Sequence, residues 1–100
     1  MVVDEVITGV TVSWNSIELV KTSIESIRKF HPEMKIIIVD GSPKDSPCRQ
    51  YVKSLPDEDE NIIALLVDHN IGHGLGMNLG IDYVETPYVL FFDTDIVMVK

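Results

Sequence analysis

Short apolar runs alternate with amphipathic stretches along this chain, and the alternation predicts its elements. Residues 6–13 (VITGVTVS) are rich in β-branched side chains and read as a strand. Asn15 then opens a helix, with Glu18 three residues on, the spacing of a capping box. Ile17, Val20, Ile24 and Ile27 recur at helical spacing, Leu19 and Phe30 widen the stripe, and His31-Pro32 ends it. Residues 35–40 (KIIIVD) form a continuous apolar run closed by a carboxylate, as in a strand buried on both faces. After the turn sequence GSPKDSP, Ser46 caps a second helix with Pro47 at its first position. Cys48, Tyr51, Val52 and Leu55 make its apolar face, Pro56 stops it, and DEDEN is a solvated loop. Residues 61–67 (NIIALLV) predict a third strand, residues 75–84 a third helix after the loop DHNIGHGLG, and residues 88–92 (YVLFF) a fourth strand entered through Thr86-Pro87. Residues 96–99 could begin a further strand.

The order β-α-β-α-β-α-β defines an α/β fold: an open, mostly parallel sheet of about four strands with helices on both faces. Right-handed crossovers bring the carboxyl ends of all the strands to one edge. At 100 residues the chain is expected to be a single domain over residues 1–100. With 45% apolar and 24% charged residues it is neither disordered nor fibrous. Sixteen acids against eight bases give a net charge of -8, with no basic cluster beyond Arg28-Lys29. That balance argues against nucleic acid and against anionic membrane surfaces as partners. The single cysteine, Cys48, excludes an internal disulfide and a multi-cysteine zinc site. The first ten residues carry acids where a signal peptide carries bases, and no apolar run approaches the ~20 residues of a membrane helix. The expectation is a cytoplasmic protein with no integral membrane segment.

In open parallel sheets, ligands bind outside the carboxyl ends of the strands. The residues there are Ser13, Trp14 and Asn15; Asp40, Gly41 and Ser42; Asp68, His69, Asn70 and a glycine loop; and Asp93, Thr94 and Asp95. Asp93-Thr94-Asp95 is the sharpest feature. Residues two apart in an extended chain point the same way, so the two carboxylates would converge and call for a cation between them. Mn²⁺ or Mg²⁺, held by a few carboxylates and completed by phosphate and water, meets that need; an acidic turn in solvent is the plainer reading. Gly72, Gly74 and Gly76 lie beside a helix start, where free N–H groups favour anions. They serve equally for a tight turn and close helix-to-sheet packing. The dinucleotide fingerprint fails at Met77 and Leu79, and the P-loop lacks its Gly-Lys-Ser/Thr. Asp40 could accept hydrogen bonds from a ribose or a base, or could cap a turn. Asn15 is expected to cap the first helix, Trp14 and Cys48 to pack, His31 to end a helix, and His69 and His73 to face solvent from the loop.

Taken together, these strand-end residues resemble the amino-terminal half of family 2 inverting glycosyltransferases, which have the GT-A (Rossmann-like) fold. The family's first strand ends Thr-Tyr-Asn, here Ser13-Trp14-Asn15. Its second ends in Asp and a Gly/Ser turn, here Asp40, Gly41 and Ser42. Two Asn-x-Gly units follow, here Asn70 with Gly72 and Asn78 with Gly80, and then Asp-x-Asp, here Asp93 and Asp95. The resemblance implies a nucleotide-diphospho-sugar as partner, of UDP type, with Ser13, Asn15 and Asp40 to Ser42 around the nucleoside. Residues 68–76 would border the phosphates, Asp93 would meet ribose or metal, and Asp95 would be the more direct metal ligand. The metal's task is to neutralise the departing diphosphate. The family's general base lies downstream of Asp-x-Asp, in the acceptor half. No catalytic residue is therefore assigned, and the chain is expected to be a donor half, truncated before the acceptor half and inactive alone.

Two other classes compete with a transferase. One is a non-catalytic binding or assembly module, pairing into a homo-oligomer through an open sheet edge. The other is a flavodoxin- or receiver-like domain, which calls for a lysine after a late strand; the chain offers only Lys100.

Overall fold

A computed structural model describes residues 2–98. In chain order the elements are α1 (Val3–Val6), β1 (Ile7–Ser13), α2 (Ile17–Phe30), β2 (Lys35–Asp40), α3 (Pro47–Glu58), β3 (Ile62–Leu66), α4 (His73–Ile81) and β4 (Tyr88–Phe91). The strands form one sheet in the order β3-β2-β1-β4, and every pairing is parallel. The chain moves outward from β1 to β3, then returns to place β4 on the other side of β1. That reversal creates a crevice between the carboxyl ends of β1 and β4, the place where such sheets take ligands.

The register sorts the side chains by face. Gly9, Thr11 and Ser13 of β1 align with Ile36, Ile38 and Asp40 of β2, and these with Ile62, Ala64 and Leu66 of β3. Successive residues alternate faces, so this set shares one side. On that side lies the main core, where Val20, Ile24 and Ile27 of α2 and Cys48, Val52 and Leu55 of α3 meet Ile36, Ile38 and Ile62. The opposite side carries Val10, Val12, Ile37 and Val39, and α4 lies on it. Contact there is close because α4 presents glycines: a Cβ on Gly76 would sit 2.5 Å from Val12 Cγ2, and one on Gly80 2.5 Å from Val10 Cγ1. One short helix cannot cover four strands, and Ile63 and Phe91 stay partly exposed on this side.

Several boundaries differ from the sequence expectation. Residues 3–6 form a helical turn, so the first strand begins at Ile7. Asn15 does not cap α2; the N-cap position is Ser16, without a side-chain bond, and Asn15 takes φ 49°. Asparagine tolerates this left-handed conformation better than most residues, and here it turns the chain out of β1. Pro56 lies inside α3, which runs on to Glu58. Proline's fixed φ suits a helix, and so near the end the missing N–H interrupts only the last turn. Helix α4 starts at His73, two residues early, because Gly72 adopts φ 85° and its N–H donates to Asn70 Oδ1 at 3.1 Å. It ends at Ile81, short of 84. Trp14 is 49% exposed and does not pack as expected. Residues 96–98 form no strand, and Val99 lies outside the described residues. No helix among the described residues is long and apolar enough to cross a membrane.

Helices α2 and α3 are tied at their carboxyl ends by Arg28 Nε and Asp59 Oδ2, 2.5 Å apart. Burial alone would raise the Asp59 pKa. Hydrogen bonds from Arg28 and from the Asn61 amide, with the Arg28 charge, outweigh it and hold the carboxyl below its usual 3.8. A depressed native pKa contributes stability that is complete above the unfolded value and lost as pH falls through the native one. Urea midpoints of the wild type should therefore fall as the pH drops below about 4, and more steeply than those of Asp59→Asn. Equal slopes would show that the tie carries no stability. The glycine packing makes a second forecast. Gly80→Ala should destabilise by about 1–3 kcal/mol through overpacking against Val10. Gly74→Ala, whose Cβ meets nothing within 4 Å, should stabilise by up to about 1 kcal/mol through helix propensity. Urea denaturation of the two variants checks the contrast.

Candidate functional site

Strand parity decides which polar groups at the carboxyl edge face inward. Ser13 and Asp40 lie on the α2/α3 side and both are buried. Ser13 Oγ donates to Asp40 Oδ1 at 2.7 Å, and so does Ser42 Oγ at 2.7 Å. Cys48 Sγ approaches the same oxygen at 3.5 Å, and the Ser42 amide donates to Oδ2 at 3.2 Å. Arg49 Nε lies 3.1 Å from Oδ2. Asp40, expected to accept from a ribose or base, has 0% exposure, and both its oxygens already have protein partners. It faces the interior rather than the open edge.

Arg49 carries no signal in the sequence reading, yet it is central here. It is buried on the first turn of α3. Nε and Nη2 donate to the Ser42 carbonyl at 3.1 and 2.8 Å, and Nη2 also donates to the Val67 carbonyl. The clue available was Asp40 itself: a carboxylate closing an apolar run needs a cation nearby, and Arg49 lies on the next helix. Ser42 extends the set, because its Oγ accepts the Asn15 amide at 2.7 Å. Gly41 completes it. A Cβ there would fall on the His69 carbonyl oxygen and 3.1 Å from Asn70 Cα, so the loops after β2 and β3 cross backbone to backbone.

The other candidates face outward. Asn70, Gly72, His73 and Gly74 are exposed, and Asn70 is engaged in the turn that precedes α4. The first N–H groups of α4 open here. His73 Nε2 lies 3.5 Å from Asp93 Oδ1, which sets the glycine loop beside Asp-x-Asp. Asp68, Asp93 and Asp95 are exposed. Strand β4 ends at Phe91, and Thr94-Asp95 form a turn closed by Ile96 N–H to the Asp93 carbonyl at 3.3 Å. The extended geometry expected to converge the two carboxylates is therefore absent. Beside Asp95 a cleft of about 150 Å³ lies between residues 94–97 and Glu18, Leu19 and Thr22. Asn78 is exposed on α4, about 200° around the helix from sheet-facing Gly76, and does not join the strand-end group.

Among the described residues no three His, Cys, Asp or Glu side chains cluster as a metal cage. A hard divalent ion does not need one when phosphate and water supply most of its shell, and one or two exposed carboxylates suffice. Asp93 and Asp95 fit that demand. Asp40 is matched by Arg49, whereas Asp68, Asp93 and Asp95 leave the open edge anionic. A diphosphate would be repelled there without a cation.

Comparison with known proteins agrees with this architecture. The family model for glycosyl transferase family 2 matches residues 9–100. The chain belongs to that family. A teichoic acid poly(glycerol phosphate) polymerase of Staphylococcus epidermidis is 30% identical over 90 residues, covering 89% of this chain and 12% of that protein. An undecaprenyl-phosphate 4-deoxy-4-formamido-L-arabinose transferase of Proteus mirabilis is 23% identical, covering 79% and 24%. Among solved structures, S. aureus TarS (residues 1–349) superposes with TM-score 0.75 at 22% identity, over 90% of this chain and 27% of that one. The mannosyltransferase PcManGT of Pyrobaculum calidifontis, in complex with GDP-Man and Mn²⁺, superposes with TM-score 0.74 at 16% identity, over 94% and 28%. The chain thus spans about a quarter or less of the lengths of these relatives. The structural likeness establishes the Rossmann-like GT-A sheet.

Proposed function

We propose that this chain is the donor-binding part of a glycosyltransferase, taking a nucleoside-diphospho-sugar at the crevice between β1 and β4. The observation that carries the reading is the placement of exposed Asp93 and Asp95 beside the glycine loop, at the point where the strand order reverses. Family membership supports it, as do a TarS complex with UDP and the PcManGT complex with GDP-Man and Mn²⁺. The nucleoside would lie over the ends of β1 and β2, against exposed Asn15, with Asn70 and Gly72 nearer the phosphates; Gly41 and Ser42, expected to meet it, are buried beneath that surface. Ser13 and Asp40 act from beneath, through Ser42. Asp95, with Asp93, would hold Mn²⁺ or Mg²⁺. Such an ion neutralises the charge that develops on a departing nucleoside diphosphate. An acceptor hydroxyl would also need a general base, and no residue described here is assigned that role.

Among the described residues no strand pairs with the outer edge of β4, where Tyr88, Leu90 and Phe91 are exposed, and this favours a second reading: an assembly module that pairs through this strand. Titration calorimetry with UDP separates the two. Binding should require Mn²⁺, and Asp95→Ala should weaken it by about tenfold or more, the loss of one charged ligand. Asp57→Ala, on the exposed last turn of α3, should bind like the wild type. Metal-independent binding, or equal affinity of Asp95→Ala, would overturn the transferase reading. A concentration-dependent dimer that Leu90→Lys abolishes would favour the module.

A further inference from the structure

We infer that Arg49 is a positioning residue for the nucleotide site, acting through three backbone segments that it locks together from below. This rests on the donor-site reading above and adds a residue to it. The guanidinium is buried, and its hydrogen bonds go to main-chain carbonyls of two different loops: Ser42, just after β2, and Val67, just after β3. Neither bond lies within a secondary-structure ladder. Together they add to the main-chain ties that run just past the strand ends, Val67 N–H to the Asp40 carbonyl at 2.9 Å and Gly41 N–H to the Ser13 carbonyl at 3.1 Å, and fix the next carbonyls of the two loops at one mutual distance. A third segment is reached through Asp40 and Ser42. Asp40 balances the Arg49 charge while accepting from both serine hydroxyls, and Ser42 Oγ then receives the Asn15 amide at the turn after β1. The lock is tight because Gly41 lets the second loop pass directly over the His69-Asn70 backbone.

A planar fork suits this task where an ammonium does not. Arginine presents several N–H donors at fixed angles and reaches two carbonyls and a carboxylate at once. Lysine carries the same charge on a single nitrogen. Arg49→Lys should therefore keep the charge opposite Asp40, and with it the fold, while releasing one of the two loops. A role confined to folding stability predicts that Arg49→Lys, once folded, binds nucleotide like the wild type. The positioning role predicts a loss of affinity in the folded variant.

The test measures UDP affinity with Mn²⁺ by calorimetry, and amide hydrogen exchange of the protein without nucleotide. In Arg49→Lys, UDP affinity should fall about tenfold, the scale of one hydrogen bond to a charged group. Exchange should quicken in residues 41–42 and 68–70, with residues 36–39 of β2 unchanged. Wild-type affinity together with unchanged loop exchange would overturn the inference. Faster loop exchange with unchanged affinity would also overturn it, since the lock would then not serve the site. Should Arg49→Lys fail to fold, the pair Asp40→Asn with Arg49→Gln, which removes both buried charges, carries the same two readouts. If the wild type itself fails to bind UDP, the donor-site reading is what falls. The exchange pattern then decides by itself whether Arg49 locks the loops.

Discussion

A buried charge pair sits where the ends of three parallel strands meet, and the shape of the open edge depends on it. Asp40 closes β2 inside the protein, a position that an unpaired carboxylate could not hold without a large desolvation penalty. Arg49 supplies the opposite charge and spends its remaining donors on the Ser42 and Val67 carbonyls. Breaking such a pair on one side costs about 3–5 kcal/mol in typical cases, so the arrangement is held as a unit. The turn at Asn15 is joined to it through Ser42 Oγ, and beside it the chain at Gly41 crosses the His69-Asn70 backbone.

That pair also divides the acidity of the edge into two kinds. Asp40 is neutralised from within and contributes architecture. Asp93 and Asp95, with Asp68, remain open to solvent, so their field falls on whatever approaches the crevice. A cation would complement that field. The glycines follow the same division. Gly76 and Gly80 let α4 lie on Val12 and Val10 and have no exposed role, whereas Gly72, at φ 85°, starts α4 and leaves its first N–H groups at the edge.

Much of this was legible from residue order. The continuous run KIIIVD suited a strand covered on both faces, and Ser46-Pro47 announced α3 with its cap: Ser46 Oγ accepts the Arg49 amide at 3.1 Å. The motif positions at the four strand ends were legible too, because a parallel sheet sends every carboxyl end to one side. Less legible was the work of particular side chains. Asn15 had the spacing of a cap but served as a left-handed turn. Trp14 had the size of a core residue but lies at the surface, where the chain leaves β1. Asn78 matched a motif, yet α4 turns it away from the edge. Arg49 stood among the apolar positions of α3 with nothing in its spacing to mark it.

The division has a physical cause. Periodicity and turn chemistry act over a few residues, and the sequence by itself determined with them the alternation of strand and helix, the parallel sheet and the edge on which polar groups gather. Whether a carboxylate at that edge turns inward or outward depends on what packs against its face of the sheet. For Asp40 that neighbour is the first turn of α3, nine residues on, which brings a guanidinium beneath it. For Asp93 the strand has already ended and the side chain beside it is the exposed His73 of α4, so it stays in water. Only the tertiary structure could make one aspartate a buried anchor and leave the other free for a ligand.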